Sequence, residues 1–585
     1  MRNVLCLVVL VPILALAAGN TRPVTVLAPE NGVANSAPAV MPVDQGRATI
    51  PPKALVGTLD TIGGTTYDWW TNGPGLRMLH NSPGFGVHAL WMYSTATSGT
   101  TFDDRNMRYN YYDYGTRTWN WIDPDYMQSG VNVFTHRAGY GNIDADPTTG
   151  AAIVGCHYTG TGGVTPKVAK DVSPGAGIFD YADGEPVLGV CQWPPISVGQ
   201  DGTINIFPIT AGYVLSYSHI APWPTYSTPI TGIEPSPGFP THNVAASKVS
   251  GNVALTWEIS TDDPEDAYMQ TSTDNGATWT SATQLPAPTT FSGDTSVAFH
   301  ITSLSPYYDH NNRLNIVANV CPEVNDTVFI IPSQIWHYCA DNSPQWNLIS
   351  VAGCAPANLQ AAVGYNATYA DRPSMGQDDD GNLFVAWEQF DSANVEPITS
   401  RLRADIFASG SHDGGITWSP AVKLTDAGTS SMRFPSVIDQ AVEGSPDPDT
   451  IYVIYEVDQI AGFFVQSEGS ATNNTVVVQK IPMTSVIPPG VAEGPGVTPV
   501  RMDAVAGPNP FGGRTVISYA LPRAGDVSLV VYDAVGRPVQ TLASGRREAG
   551  RYNATWNAGN AAAGVYFYTL TSGKTSMTRK LILAH

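Results

Sequence analysis

The sequence predicts an all-β chain in two parts: a large ring of four-stranded antiparallel units, then a small β-sandwich. Three observations carry this. The 585 residues include 56 Gly, 46 Pro, 26 Tyr and 14 Trp, while only 14% are charged. That composition suits short strands and tight turns and excludes long helices or bulk disorder. Seven apolar strand cores recur with starts 49 to 69 residues apart, and a period of that length, with room for four short strands, marks a β-propeller. The chain also exceeds one ordinary core, and its charge changes near the C-terminus. Residues 501–585 carry 10 Lys+Arg against 4 Asp+Glu in a chain of net charge −21. The acidic body excludes nucleic acid and an anionic membrane surface as partners of the whole protein.

Taken in order, residues 1–18 read as a secretory signal: Arg2, an apolar run from Val4 to Leu16, and Ala15-Leu16-Ala17 as a small-residue cleavage site. No later apolar run reaches membrane length, so the mature chain is expected to be exported without a transmembrane span and to meet oxidising conditions. Residues 19–58 form an irregular leader rich in Pro, Ala and Val. The propeller is expected over 59–485, with strand cores at 88–93, 152–157, 204–209, 253–258, 314–319, 383–388 and 451–456. Most follow a turn cluster, such as Asp201-Gly202 or Asp379-Asp380-Gly381-Asn382. Residues 486–500 are a Pro/Gly linker. Over 501–585 short alternating strands return, at Thr515 to Ala520, Val527 to Tyr532, Tyr552 to Trp556, Val565 to Leu570 and Thr578 to Leu583.

Ser272-Thr-Asp274-Asn-Gly276-Ala-Thr-Trp279 and Ser411-His-Asp413-Gly-Gly415-Ile-Thr-Trp418 share the form Ser-x-Asp-x-Gly-x-x-Trp. In such a hairpin turn Asp accepts backbone N–H groups, Gly supplies a positive φ, and Trp fills the space beneath. Asp341 and Trp346 keep the spacing without Ser and Gly, and Asp113-Tyr-Gly115 with Trp119 is a further decayed copy. The pattern resembles the Asp-box (BNR repeat) of sialidase-like β-propellers. That resemblance implies six or seven blades: seven by the count of cores, six by the number in sialidases.

In the C-terminal part, Pro508-Asn-Pro-Phe511, Val531-Tyr-Asp-Ala-Val-Gly-Arg537, Gly564-Val-Tyr-Phe-Tyr568 and Arg579-Lys580-Leu581 stand at regular intervals. As a set they resemble the C-terminal sorting domain of type IX secretion substrates and its relative, the Ig-like domain of flagellar hook-capping proteins. This implies an Ig-like β-sandwich that engages the secretion machinery, and a secreted or cell-surface location.

Cys156 and Cys321 fall at or near the end of a unit's second strand, and Cys191 and Cys354 follow near the end of the fourth. The bridges Cys156–Cys191 and Cys321–Cys354 are therefore expected within single units, leaving Cys339 over.

The sialidase resemblance also implies chemistry: three arginines on the substrate carboxylate, a Tyr nucleophile activated by Glu, and an Asp acid/base. Arg137, Arg372 and Arg433 stand at similar places before a unit's first strand and are the candidates; no catalytic residue is assigned. The competing expectation is that these arginines belong to the repeat and tie neighbouring units together. Glu258, Glu388 and Glu456 recur at one strand position, which favours a structural role, and Tyr455 beside Glu456 points to the opposite face. Asp262-Asp263, Glu265-Asp266 and Asp378-Asp379-Asp380 offer oxygen ligands of the calcium type but read as solvated turns, so no cofactor is expected. No HExxH or Gly-x-Ser-x-Gly motif occurs. Trp69, Trp70, Tyr111, Tyr112, Trp119 and Trp121 suit either sugar stacking or core packing. The sequence thus predicts a non-catalytic propeller that binds an extracellular glycan or protein through its central face. The alternative is an exo-acting glycoside hydrolase of sialidase type.

Overall fold

In the computed structural model the chain divides into two units, residues 1–488 and 489–585. The structure describes residues 55–487 and 503–584, leaving out 72–74, 99–100, 161–162, 183–190, 211–213, 234–240, 260–265, 287, 289–297, 325–326, 329, 331, 353–361, 366, 443–449, 508, 510, 522–524, 548–549, 560 and 573–574. The expected signal, nearly all of the leader and most of the linker lie outside the described residues, as do Asp262, Asp263, Glu265, Cys354 and the side chains of Cys191 and Asp266.

Among the described residues the larger unit is all-β apart from a few short helical turns, with seven sheets. Each apolar core is the second strand of one sheet: Gly86–Tyr93, Ala152–Gly160, Ile204–Ile206, Val253–Ile259, Leu314–Val324, Leu383–Val395 and Thr450–Asp458. A strand covered on both faces reads as a continuous apolar run rather than an alternation; Trp91, Trp257 and Trp387 on these strands are fully buried. The third sheet departs from the pattern. Pro208 has no N–H to donate, so the strand stops at Ile206 and pairing resumes at Ile209–Thr210.

The first strands pack against neighbouring sheets in cyclic order, and the seventh sheet meets the first. There the N–H groups of Met78 and Asn81 donate to Ser436 Oγ and Asp439 Oδ1, each at 2.9 Å. The seventh sheet takes its outer strand from the beginning of the chain. Thr58–Thr65 pairs antiparallel with Asn474–Pro482, from Thr58 opposite Lys480 to Thr65 opposite Asn474, so the edge of Asn474–Pro482 is paired rather than open.

The two full Ser-x-Asp-x-Gly-x-x-Trp turns share one geometry. Ser272 Oγ donates to Asp274 Oδ1 at 2.7 Å and accepts Gly276 N–H at 2.9 Å, while Trp279 Nε1 donates to Gly276 O at 3.1 Å. In the sixth sheet the same bonds link Ser411, Asp413, Gly415 and Trp418, at 2.9, 2.9 and 3.1 Å. Each turn leans on the sheet before it: Trp279 meets Tyr217 edge-on at 4.7 Å, and Trp418 meets His337 at 5.4 Å. The partial copies differ. Trp346 Nε1 donates to Pro286 O, and Trp119 Nε1 to Asp60 on the closing strand.

One expectation is corrected. Cys156, Cys321 and Cys339 are buried free thiols, so the bridges Cys156–Cys191 and Cys321–Cys354 are not formed. Both thiols face packed interior: Cys156 lies against the backbone of Gly141, and Cys321 Sγ is 3.8 Å from Ser333 Oγ. Burial pushes the Cys321 thiol up to about 12.

The smaller unit is a two-sheet sandwich. Asp503–Gly507, Arg514–Leu521 and Gly550–Asn557 form one sheet; Pro538–Arg547, Gly525–Asp533, Gly564–Ser572 and Thr575–Leu583 form the other. Ile517, Leu529, Val531, Trp556, Tyr568 and Leu581 fill the space between. In the Asp533–Arg537 turn the Asp533 carboxylate accepts the N–H groups of Val535 and Arg537, and Gly536 has φ 81°.

Gly276 and Gly415 have φ of 85° and 86°, and a Cβ on them would stand 1.7 Å from Tyr217 Oη and 2.0 Å from the His337 ring. Gly381, with φ 82°, has open space around it. Gly415→Ala is expected to cost roughly 3 kcal/mol and Gly381→Ala about 1 kcal/mol, read from the midpoints of denaturant unfolding. Equal losses at the two sites would show that the seam behind Gly415 yields.

Candidate functional site

Where the chain leads into the first strand of a sheet, it bulges in a repeated way. Tyr140, Trp193, Arg372 and Phe434 have φ of 51°, 43°, 53° and 56°, and each is followed by Gly or Pro. Register shifts mark the bulge at Gly139/Asn142, Asp371/Ser374 and Arg433/Ser436. Non-glycine residues adopt this left-handed conformation rarely, and a bulge re-aims a side chain. The structural alignment therefore sets Arg372 against Phe434 and Tyr140. The match of Arg137, Arg372 and Arg433 expected from sequence slips by one to three residues.

Arg372 and Arg433 meet on one carboxylate. Arg372 Nη1 lies 2.6 Å from Glu388 Oε1, and Arg433 Nε lies 3.2 Å from Glu388 Oε2. All three side chains are fully buried. Phe434 N–H donates to the same Glu388 at 2.8 Å, and Phe463 and Phe390 lie over the Arg433 guanidinium. Burial pushes Glu388 toward protonation, but Arg433 and Arg372 outweigh it and hold the carboxylate below its usual range. The pair ties the sixth sheet to the seventh. Arg137 is elsewhere, its Nε donating to the carbonyls of Thr101 and Phe102. Tyr455 hydroxyl donates to Gln479 at 3.0 Å, while Glu456 turns to Asn474.

Sequence reading missed Arg105. Its guanidinium is 4% exposed and donates to Ala138 O, Tyr67 Oη and His157 Nε2 at 3.0, 3.1 and 3.0 Å. Tyr67 and Tyr140 hydroxyls are hydrogen-bonded at 2.7 Å. Guanidinium only donates, so His157 Nε2 is the acceptor and its proton sits on Nδ1, which has no partner among the described residues. Burial, then Arg105 and Arg137, hold His157 neutral, well below its ordinary value. Aromatic rings extend the patch: Trp69 meets Tyr140 and Tyr365 edge-on, His157 lies 6.2 Å from Trp193, and His242 Nε2 donates to Trp193 O. The indole N–H groups of Trp69 and Trp193 also lack partners among the described residues. Neither Arg105 nor Arg137 forms an ion pair among the described residues. The signal available in the sequence, Asp103-Asp104-Arg105, reads as an exposed turn; in the structure Asp104 caps Ser94 and Thr95 instead.

Further along the first strands lies a cavity of about 90 Å³, lined by strand residues of six sheets and by Asp439 and Gln440, which follow the first strand of the seventh. His80 Nδ1 is 2.9 Å from Asp439 and its Nε2 3.6 Å from Asp144, which pairs with Lys248 at 2.6 Å. Burial opposes ionisation of Asp144, yet Lys248 and His80 hold its carboxyl below the usual range. Among the described residues no group of His, Cys, Asp and Glu suits a metal ion. Asp378 accepts the N–H and side-chain amide of Asn382, which is turn chemistry.

Residues 507–584 match the family described as the secretion system C-terminal sorting domain. This domain indicates secretion, with attachment at the cell surface or release, and contact with the secretion machinery. No helix among the described residues is long and apolar enough to cross a membrane. No curated protein matches the chain. Among solved structures it is similar to an ulvan lyase of polysaccharide lyase family PL25 (12% identity, 72% of this chain and 96% of that one, TM-score 0.41). It is also similar to an α-L-arabinanase of Penicillium chrysogenum (10%, 74% and 100%, 0.36) and to the phage phi92 endosialidase (10%, 90% and 88%, 0.37). Likeness of this depth carries no argument about activity.

Removing the shared carboxylate would take from Arg433 its ion pair and leave Arg372 with Asp371 alone, at 3.4 Å. Glu388→Gln is expected to lower stability by about 3–5 kcal/mol, whereas Arg137→Gln stays within about 0.5 kcal/mol, both by chemical denaturation. A near-neutral Glu388→Gln would show that the arginines find other partners.

Proposed function

We propose that this protein is an exported seven-bladed propeller that binds an oxyanion-bearing glycan at the Arg105 patch and does not cleave it. The observation that carries this is Arg105 itself: a buried guanidinium whose acceptors among the described residues are all neutral, in a chain of net charge −21. Buried charges are ordinarily paired. Here Arg137 adds a second cation and the rings of Trp69, Tyr140 and Trp193 add aromatic faces, a combination that suits a sugar carrying carboxylate or sulfate. Arg372 and Arg433 are already engaged by Glu388, so they serve the seam between blades rather than a ligand. The Ser-x-Asp-x-Gly-x-x-Trp turns are read as Asp-boxes holding blade to blade, and the C-terminal sandwich as an Ig-like carrier that delivers the propeller.

The exo-hydrolase reading keeps one supporting observation. Burial holds the Asp68 carboxyl near 7, next in sequence to Tyr67 of the Arg105 network, and a carboxyl in that range suits general acid catalysis.

Calorimetric titration of the protein with polygalacturonate, dextran sulfate and neutral dextran tests the proposal. Binding of at least one polyanion, weakening as salt rises, and a loss of about 10- to 100-fold in Arg105→Gln are expected. Equal binding of neutral dextran, or an unchanged Arg105→Gln, would refute it. Release of fluorophore from a fluorogenic sialoside would move the assignment to the hydrolase.

A further inference from the structure

The seventh sheet meets the leading segment 66–71 through three carboxyl groups. Glu456 and Asp458 stand two residues apart on Thr450–Asp458 and so share a face; the charge of Asp68 acts on both. All three are buried, at 0%, 2% and 4% exposure. Asp68 accepts the N–H groups of Phe464 and Val465. Glu456 Oε1 accepts from Asn474 Nδ2 at 2.7 Å and Asp458 Oδ1 from Ile460 N–H at 3.2 Å. Glu456 Oε2 and Asp458 Oδ2 have no partner among the described residues.

The charged group facing them from Ser431–Val437 is Arg433, already shared with Glu388; Arg372 and Asp371 lie beyond it on the sixth sheet. Five carboxyls, those of Asp68, Asp371, Glu388, Glu456 and Asp458, thus share two guanidinium groups. Ionising all of them in a dry interior would set like charges against one another, so the cluster retains protons.

We propose that Asp68, Glu456 and Asp458 form a proton-operated latch that holds segment 66–71 and the turn after Phe463 closed over the Arg105 patch. The proposal rests on the reading of that patch as a binding face. The latched segment carries Tyr67, bonded to Arg105, and Trp69, packed on Tyr140 and Tyr365. On the other side Phe464 lies 5.6 Å from Phe102, and Glu468 accepts the N–H groups of Phe463 and Tyr365. Protons keep the cluster neutral and closed; their loss repels the three carboxylates and loosens both segments.

The direction follows from the shifts. Burial raises Asp68 from 3.8 to about 7, and burial with the neighbouring carboxylates raises Glu456 and Asp458 well above their ordinary values. A carboxyl raised in the closed state contributes closure that is complete below its open-state value and is lost as pH rises through its closed-state value. For Asp68 that window is about pH 4 to 7, and Glu456 and Asp458 extend it upward.

Hydrogen exchange of the full-length protein at pH 5, 6, 7 and 8, corrected for intrinsic exchange, tests the latch. Protection of the Phe464 and Val465 amides is expected to fall about tenfold per pH unit between 5 and 7, while the amides of Leu383–Val395 keep theirs. Asp68→Asn flattens that slope, and Glu456→Gln weakens it if Asp68→Asn does not fold. Flat protection in the native protein, or a slope unaltered in both variants, overturns the latch. Polyanion titrations at each pH separate the two claims: pH-dependent protection without binding at any pH supports the latch and removes the binding face, whereas binding with flat protection overturns the latch alone.

Discussion

The pairing of Thr58–Thr65 with Asn474–Pro482 is the constraint on which the rest of the larger unit depends. Six of its sheets are built from local antiparallel neighbours, and each hairpin closes a short loop. The seventh needs a strand from the other end of the unit, so the loop it closes spans most of the chain. Closure entropy grows only slowly with loop length, and one strand of backbone hydrogen bonds, together with the edge it covers, meets that cost. The same pairing places the residues that follow it, Tyr67 to Trp70, against Arg105, Phe464 and Phe434. Closure and the candidate binding face therefore have one origin.

Two ways of keeping a buried arginine stand side by side in this molecule. Arg372 and Arg433 share the Glu388 carboxylate across a seam, with Phe434 N–H completing its set of donors. Removing the acid there is costly because both buried guanidinium groups lose their shared partner at once. Arg105 is kept by a carbonyl, a phenol and an imidazole. Neutral acceptors satisfy hydrogen-bond geometry but leave the charge itself uncompensated. The first arrangement serves the fold, and the second is the one on which the proposed anion binding rests.

The repeated turns show how local chemistry becomes a tertiary contact. Asp274 and Asp413 satisfy backbone donors within their own turns, which makes the turn rigid. Rigidity alone would not join sheets. The glycine at the crest, in a conformation closed to most residues, lets the backbone approach Tyr217 or His337 of the preceding sheet. Those side chains are in turn oriented by Asn205 and Asn315, at 2.6 and 2.9 Å. A rigid turn and an oriented ring then meet through the Trp.

The sequence by itself determined what depends on neighbours along the chain. The seven second strands were legible because strands covered on both faces need unbroken apolar runs. The Ser-x-Asp-x-Gly-x-x-Trp turns were legible because their bonds lie within eight residues, and the smaller unit because its strands and turns are short and regular. What only the tertiary structure decided are pairings between residues far apart. Arg372 and Arg433 read from sequence either as ties between units or as members of a triad, and in the structure Glu388 takes both; Arg105 was not singled out in the sequence and stands out only where Tyr67 and His157 close on it. Cys156 and Cys321 looked like half-cystines by spacing, but their thiols face packed interior. Spacing states which residues share a strand position. Only packing states which charge is left over when the sheets meet, because burial and partner are properties of the packed sheets rather than of any segment within them.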